Sequence, residues 1–492
     1  MKKVHIPLIA GILLILTFSL LCGEVTFEKW YGYQYEDVGY DVLLDSDGGY
    51  LVVGHLTRSG EYFTDGFFMK TDSLGDTLFV RTYGGDLNDG FRSFVRTPEG
   101  GFLCAGFTNS SGAGVNDLYI LKIDSVGDSL WARTFGTAGF EAGHKIIEAH
   151  GGGYLVVGYT EDFSGYDRDI YLVKIDSLGN TVWERTYGVV GTGYYEGGSS
   201  LIPRSDGGYL IAGFTNSHGA GMADGYLLKV DSLGDSLWAT TYGTPNSDEF
   251  FSITDCFDGG YAVAGFSDGT GAGSPDVSLI RFNASHDSIW SCVCGGTGID
   301  RGFWVCPARN GAFGVIGHSE VESGNFDVYF IKIDSLGNSI WEQTIGGSDI
   351  DDGYCVKETP DSGFILVGTT RSYGAGYRDI YLIRTDSLGL GVCESDDRSR
   401  NTELRFSCSP NPFTTSSTIT TERLSEHQNI REPELKIYDI SGRRVREISL
   451  LPFSFYLGVT WDGRDEANQV APPGIYILKM GRRCVGKVVK IN

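Results

Sequence analysis

The stretch DGGYLVVG, Asp47 to Gly54, carries the fold. It returns six times with small changes: EGGFLCAG ending at Gly106, GGGYLVVG at Gly158, DGGYLIAG at Gly213, DGGYAVAG at Gly265, NGAFGVIG at Gly317 and DSGFILVG at Gly368. The final glycines stand 51 to 55 residues apart, and a second motif such as KTDSLGD (from Lys70) or KIDSLGN (from Lys174 and Lys332) follows each of them. A fixed period of this length marks a repeat architecture. In the first unit four strand-like runs can be read, Tyr40–Leu44, Tyr50–Leu56, Phe67–Thr71 and Thr77–Tyr83, here named a to d. Asp-Gly and Leu-Gly-Asp between them are hairpin chemistry, because glycine accepts positive φ. Four strands per unit predict a propeller blade. No unit holds a 3.6-residue apolar period, which excludes a helical solenoid.

The ends of the array predict how it closes. Strand d carries a large aromatic 25 residues after the glycine at Phe79, Trp131, Trp183, Trp238 and Trp290, and 24 after it at Trp341. The seventh unit lacks this strand, and polar residues follow Cys393. An orphan run, VTFEKWYG, precedes the first unit; Phe27 lies 27 residues before Gly54, as Phe79 does before Gly106. The expectation is a ring of seven blades in which the first strand completes the last sheet, so that no edge is left to aggregate. The expected fold is all-β: a seven-bladed β-propeller followed by a C-terminal β-sandwich.

With 71 glycines among 492 residues, 41% apolar residues and a net charge of −24, the chain reads as globular and acidic. Such a field repels nucleic acid and anionic membranes, so neither is an expected partner. Lys2 and Lys3 followed by the apolar run Ile6–Leu21 read as a secretory signal over residues 1–23. Cys22 is a candidate lipidation site with bulky Leu21 before it. No later segment is apolar enough to span a bilayer. The cysteines do not recur with the repeat and show no zinc spacing; Cys408 and Cys484 are a candidate bridge in the last domain. The expected divisions are the propeller over 24–393, a linker over 394–404 and the last domain over 405–492.

The unit sequences resemble the DGGY-type propeller repeats of secreted bacterial proteins, and their closure resembles that of WD-repeat propellers. The likeness bears on fold and little on function. The last domain has its own motifs: PNPF at Pro410–Phe413, YDISGRRV at Tyr438–Val445, WDGRD at Trp461–Asp465, PPGIYILKM at Pro472–Met480 and KVVKIN at its end. They resemble the C-terminal sorting domain of type IX secretion substrates, an immunoglobulin-like module. The resemblance implies recognition by outer-membrane secretion machinery and a place outside the cell or on the outer surface of a Gram-negative-type bacterium. It points to Gly442, Trp461, Gly463, Gly474, Tyr476, Lys487 and Lys490 as sorting-motif positions.

One face of the ring carries the d–a and b–c connections. An acid stands there 17 residues before each glycine: Asp37, Asp89, Glu141, Glu196, Asp248, Asp300 and Asp351. A second recurs where strand c begins: Asp65, Asp117, Asp169, Asp224, Asp276, Asp327 and Asp379. They read either as a carboxylate-lined mouth for a cation, a cationic partner or sugar hydroxyls, or as turn carboxylates holding loops; repetition in every blade favours the second. Calcium suits such oxygen ligands, but no stretch has EF-hand spacing, and no cofactor is expected. Tyr62, Phe163, Tyr166, Tyr194, Tyr373 and Tyr377 are candidate ring-stacking residues on that face. No GxSxG, HExxH or phosphate-loop motif is present, and no blade bears an insertion that would build a catalytic pocket. The expected function is a monomeric, non-catalytic propeller that binds a glycan or a protein. A carbohydrate-active enzyme using loop-face carboxylates and a passive surface component are the alternatives.

Overall fold

The computed structural model describes residues 26–33, 35–57, 62–162, 167–189 and 193–390, and in the C-terminal region 404–409, 416–423, 434–439, 443–449, 456–480 and 483–490. The signal segment and Cys22, the b–c loop residues Phe163 and Tyr166, the linker stretch 391–403 and Gly442 lie outside them.

Among the described residues seven antiparallel four-stranded units follow one another before the C-terminal region, the third and fourth linked by a short parallel pairing. Blade 1 consists of Val38–Leu44, Tyr50–Thr57, Thr64–Thr71 and Thr77–Tyr83 in sequence order across the sheet. Blades 2 to 6 repeat the order, starting at Asp89, Phe140, Tyr194, Asp248 and Asp300. Blade 7 has Asp351–Glu358, Phe364–Thr370 and Asp379–Thr385, and its fourth strand is Phe27–Tyr31. That strand pairs antiparallel with the seventh strand c, Phe27 opposite Arg384 and Tyr31 opposite Ile380. The ring closes as the sequence predicts.

Strands b and c are buried on both faces, since neighbouring sheets stack against them; strand d is mostly exposed at the rim, with Phe79 and Tyr83 half-buried in blade 1. The rim joint explains the recurring aromatics. Trp131, Trp183, Trp290 and Trp341 each pack on the c–d turn glycine of the next blade, at Gly179, Gly234, Gly337 and Gly389. Phe27 packs in the same way on Gly75 of blade 1 and so takes the tryptophan's place at the closure. Tyr31 Oη donates to Gly75 O at 2.5 Å, as Tyr83 does to Gly127 O and Tyr187 to Gly234 O.

The last glycine of the repeat motif marks a close approach. A side chain on Gly54, Gly158 or Gly265 would overlap the strand-a carbonyl oxygen of Val38, Ala142 or Glu249. Beside it the a–b register slips by one residue in every blade, at Gly39/Asp41, Phe91/Ser93, Gly143/Lys145, Gly198/Ser200, Phe250/Ser252, Gly302/Trp304 and Gly353/Cys355. Such a bulge re-aims a side chain.

The C-terminal region forms two sheets, one of Leu404–Ser409, Ser417–Arg423 and Tyr456–Trp461, the other of Arg444–Ser449, Glu434–Asp439, Gly474–Met480 and Arg483–Lys490. This is the expected β-sandwich. Trp461 is buried, meets Tyr476 edge-on at 4.7 Å and donates its indole N–H to Arg464 O at 2.9 Å. Gly463 has φ of 68°, and Lys490 is buried at the end of the last strand. Gly474 opens the strand carrying Tyr476; Lys487 lies on the last strand, its side chain outside the described set.

Candidate functional site

The residue left over at each bulge stands 14 before the repeat glycine: Tyr40, Arg92, His144, Ser199, Phe251, Phe303 and Tyr354. Contacts across blades place the aromatic members around the axis. Tyr40 lies 5.2 Å from Tyr354, Tyr354 5.8 Å from Phe303, and Phe303 5.5 Å from Phe251, centroid to centroid. Burial, with Arg92 nearby, pushes His144 down to about 3, so its imidazole is neutral at physiological pH. The next position holds a second axial layer in which Asp41 meets Ser93 Oγ at 3.0 Å, Cys355 Sγ at 3.2 Å and Lys145 Nζ at 3.3 Å.

Beside the axis, over blades 1 to 3 and the b–c loop of blade 7, the loop face opens into a cavity of about 610 Å³. Its wall is aromatic, from Tyr35, Tyr62, Phe107, Phe140, Tyr159 and Tyr377, and carries the amides of Asn88, Asn109 and Asn116. Two residues expected on this face from sequence, Tyr62 and Tyr377, thus meet at one site; they are 81% and 59% exposed. Tyr62 leans on Tyr35 at 5.1 Å, and Arg371 lies 4.1 Å over the Tyr377 ring.

Three charged or titratable groups line the same wall: Glu36, His55 and Arg92. The Arg92 guanidinium sits over Tyr40 at 5.5 Å and Phe107 at 6.0 Å, and its buried Nε has no hydrogen-bond partner. Burial first, then the Arg92 charge, pushes His55 down to about 4, which leaves it neutral at pH 7. Glu36 is the single carboxylate among the lining residues, half exposed and 3.8 Å from Arg378.

The other sequence candidates lie elsewhere. Asp37, Asp89, Glu141, Glu196, Asp248, Asp300 and Asp351 are buried at the strand-a starts, at most 4% exposed, and accept hydrogen bonds inside the turns. Tyr33 N–H and Thr57 N–H donate to Asp37 at 2.5 and 2.7 Å; Gly85 N–H and Ser110 Oγ–H donate to Asp89 at 2.7 Å each. Thr137 and Thr160 hydroxyls reach Glu141, Thr215 and Ser217 hydroxyls reach Glu196, and Thr244 N–H reaches Asp248. Gly296 and Gly347 N–H donate to Asp300 and Asp351. Tyr373 stacks on Trp30 at 5.1 Å and donates to Gly346 O. Tyr194 lies where strand a of blade 4 pairs in parallel with strand c of blade 3.

No family model matches the chain, and no curated protein matches it. Solved structures that it resembles include Sqt1 from Chaetomium thermophilum (11% identity, 73% of this chain and 100% of that one, TM-score 0.43). YCF48 bound to D1 peptide shows 12% identity over 73% of this chain and 94% of that one, TM-score 0.42. A fungal alcohol oxidase of the AA5 family, in complex with copper, shows 14% identity over 95% and 100%, TM-score 0.44. An oxidase and a peptide complex stand side by side among these likenesses, which decides nothing about activity.

Two features of the site were not read from sequence. The axial set varies from tyrosine to arginine to serine at a position 14 before the glycine, and only the bulge explains why that position escapes the strand alternation. The cavity draws Tyr35, Arg92 and Tyr159 from different units, so no single repeat displays it.

Proposed function

We propose that this chain is an exported, non-catalytic binding propeller whose loop-face cavity takes a glycan. The observation that carries the reading is the cavity wall: six aromatic side chains with three amides and an arginine whose buried Nε has no hydrogen-bond partner. Flat aromatic faces stack on sugar rings, and amide and guanidinium donors bond hydroxyls with defined geometry. An enzyme cleaving glycosides would need two carboxylates facing the substrate at a set separation. The lining residues include one, Glu36, whereas the carboxylates pushed up by burial, such as Asp37 and Asp169 (both to about 6), lie in the joints between blades.

The repeat motifs support a place among DGGY-type bacterial propellers. The YDISGRRV, WDGRD and PPGIYILKM motifs of the sandwich support a role as a type IX sorting signal read by outer-membrane secretion machinery, with the propeller delivered outside the cell.

Glycan arrays followed by titration calorimetry test the reading on the mature protein. Binding of a glycan that weakens about tenfold or more in Tyr62→Ala and Arg92→Ala supports it, the loss of one stacking or charged contact being worth about 1–3 kcal/mol. Release of reducing ends would establish the enzyme instead. Silence on glycans with capture of a protein partner, or silence throughout, would overturn the glycan assignment. Removal of residues 405–492 should retain the protein inside cells that carry the type IX machinery.

A further inference from the structure

The joints between blades pair buried carboxylates that have no counter-charge. Between blades 5 and 6, strand c of one blade opens with Asp276 and strand a of the next with Asp300. Gly295 lies between them: a side chain there would overlap Asp276 Oδ1 and stand 2.6 Å from Asp300 Oδ2. Both aspartates are 0% exposed. Asp276 Oδ2 accepts Gly273 N–H at 2.9 Å and Asp300 Oδ2 accepts Gly296 N–H at 2.7 Å. Asp276 Oδ1, the atom aimed into the joint, has no donor, and neither has Asp300 Oδ1. Asp276 Oδ1 also lies 3.3 Å from where a Gly273 side chain would stand, a position that the carbonyl oxygen of Gly298 overlaps and that of Gly296 approaches to 2.9 Å.

The arrangement repeats. Asp117 and Glu141 face Gly136, with Glu141 Oε2 buried and without a donor, while the carbonyls of Thr137 and Gly139 face Gly114. Asp224 and Asp248 face Gly243, with the carbonyls of Thr244 and Asn246 at Gly221. Asp379 and Asp37 face Gly32, with the carbonyls of Tyr33 and Tyr35 at Gly376. At this last joint both Asp37 oxygens accept backbone N–H groups, Oδ2 from Tyr33 and Oδ1 from Thr57, and at the Gly243 joint no buried carboxylate oxygen lacks a partner.

Proteins bury charges when they are paired or bound to metal. No lysine, arginine or histidine forms an ion pair with these eight carboxylates among the described residues. Backbone N–H and hydroxyl groups satisfy one oxygen each of Asp276, Asp300 and Glu141, and what is left facing these joints is carboxylate and backbone carbonyl oxygen in irregular loops, which is the ligand chemistry of calcium; magnesium demands a stricter octahedron and retains its waters. No joint gathers a third carboxylate, thiol or imidazole among the described residues, so carbonyls and water supply the remaining ligands. We propose that the two joints holding an orphaned carboxylate oxygen, Asp276/Asp300 at Gly295 and Asp117/Glu141 at Gly136, each bind one calcium ion, which ties strand c of one blade to strand a of the next. The inference is independent of what the cavity binds.

The test uses the full mature protein, stripped with chelator and dialysed. Equilibrium dialysis with radioactive calcium should find one ion at each of these two joints, two per chain in all. Thermal melts at pH 7.5 should shift upward with calcium and far less with equimolar magnesium. Asp300→Asn keeps an acceptor for Gly296 N–H and removes only charge; it should lose one equivalent of calcium with an unchanged far-UV spectrum. Asp276→Asn, made separately, reads the same joint if the first variant does not fold. Absence of tight calcium binding, stoichiometry unchanged in both variants, or stabilisation of the stripped protein by acid but not by calcium would overturn the proposal.

Discussion

Lys145 Nζ lies 3.3 Å from Asp41 Oδ2, an ion pair that joins blade 3 to blade 1 in the second axial layer. Burial opposes the Asp41 charge, but Lys145 and Lys357 outweigh it and hold the carboxyl below its ordinary range. The Lys145 ammonium also sits 4.3 Å from the centroid of the Trp304 ring of blade 6, so one side chain touches three blades. Lys145→Met should therefore cost about 1–3 kcal/mol in urea denaturation, because it removes the nearer of the two ammonium charges that compensate a buried carboxylate and leaves Lys357 as the other. Adding Asp41→Asn to it should recover much of the loss. A double variant as unstable as the single would show that packing, not charge, is at stake.

His144 makes stability depend on acid. The folded protein keeps this imidazole neutral down to about pH 3, while in the unfolded chain it takes a proton near its ordinary value of 6.5. Its contribution is complete above pH 6.5 and falls as pH drops toward 3; at pH 5 the loss is about 2 kcal/mol. Denaturation at pH 7 and pH 5 should differ by about that much less in His144→Gln than in the parent. Parallel pH profiles for the two proteins would refute the assignment.

Gly265→Ala should destabilise the chain by about 3 kcal/mol or more, since the added methyl overlaps the Glu249 carbonyl and the two strands must part. A side chain on Gly296 meets no atom within 4 Å. Gly296→Ala should stay within about 1 kcal/mol, and the contrast between the two melting temperatures checks the reading.

The closing strand is the mechanical weak point of the ring. Phe27→Ala should cost about 3–5 kcal/mol by emptying its seat on Gly75 and Tyr50. Removal of residues 24–33 should leave the strand Asp379–Thr385 as an exposed edge and produce concentration-dependent association on size-exclusion chromatography with light scattering. A truncated protein that stayed monomeric and melted like the parent would contradict the closure.

The residues that made the fold legible are those whose role is the same in every blade. The DGGY turn, the crowded glycine and the rim aromatic recur because each sheet meets its neighbours alike, and Phe27 could be matched to Trp131 by spacing alone. The acids at Asp37 and its equivalents were visible for the same reason, but their burial was not: it arises because two acids from successive units close on one glycine, as Asp276 and Asp300 do on Gly295. The cavity depends on differences between blades, with Arg92 where the neighbouring units carry Tyr40 and His144. Such differences acquire meaning only once the units stand side by side.

The pairing of Phe27–Tyr31 with the seventh strand c sets a timetable for folding. Glu28 accepts a hydrogen bond from the Tyr381 hydroxyl at 2.5 Å, across 353 residues of chain. Six sheets can zip up from neighbours in sequence while the chain is still lengthening, but the clasp waits for nearly the whole array. Contacts of such separation are slow to form. The earliest-made strand is thus the last to dock, and any factor that holds it back keeps the molecule an open arc.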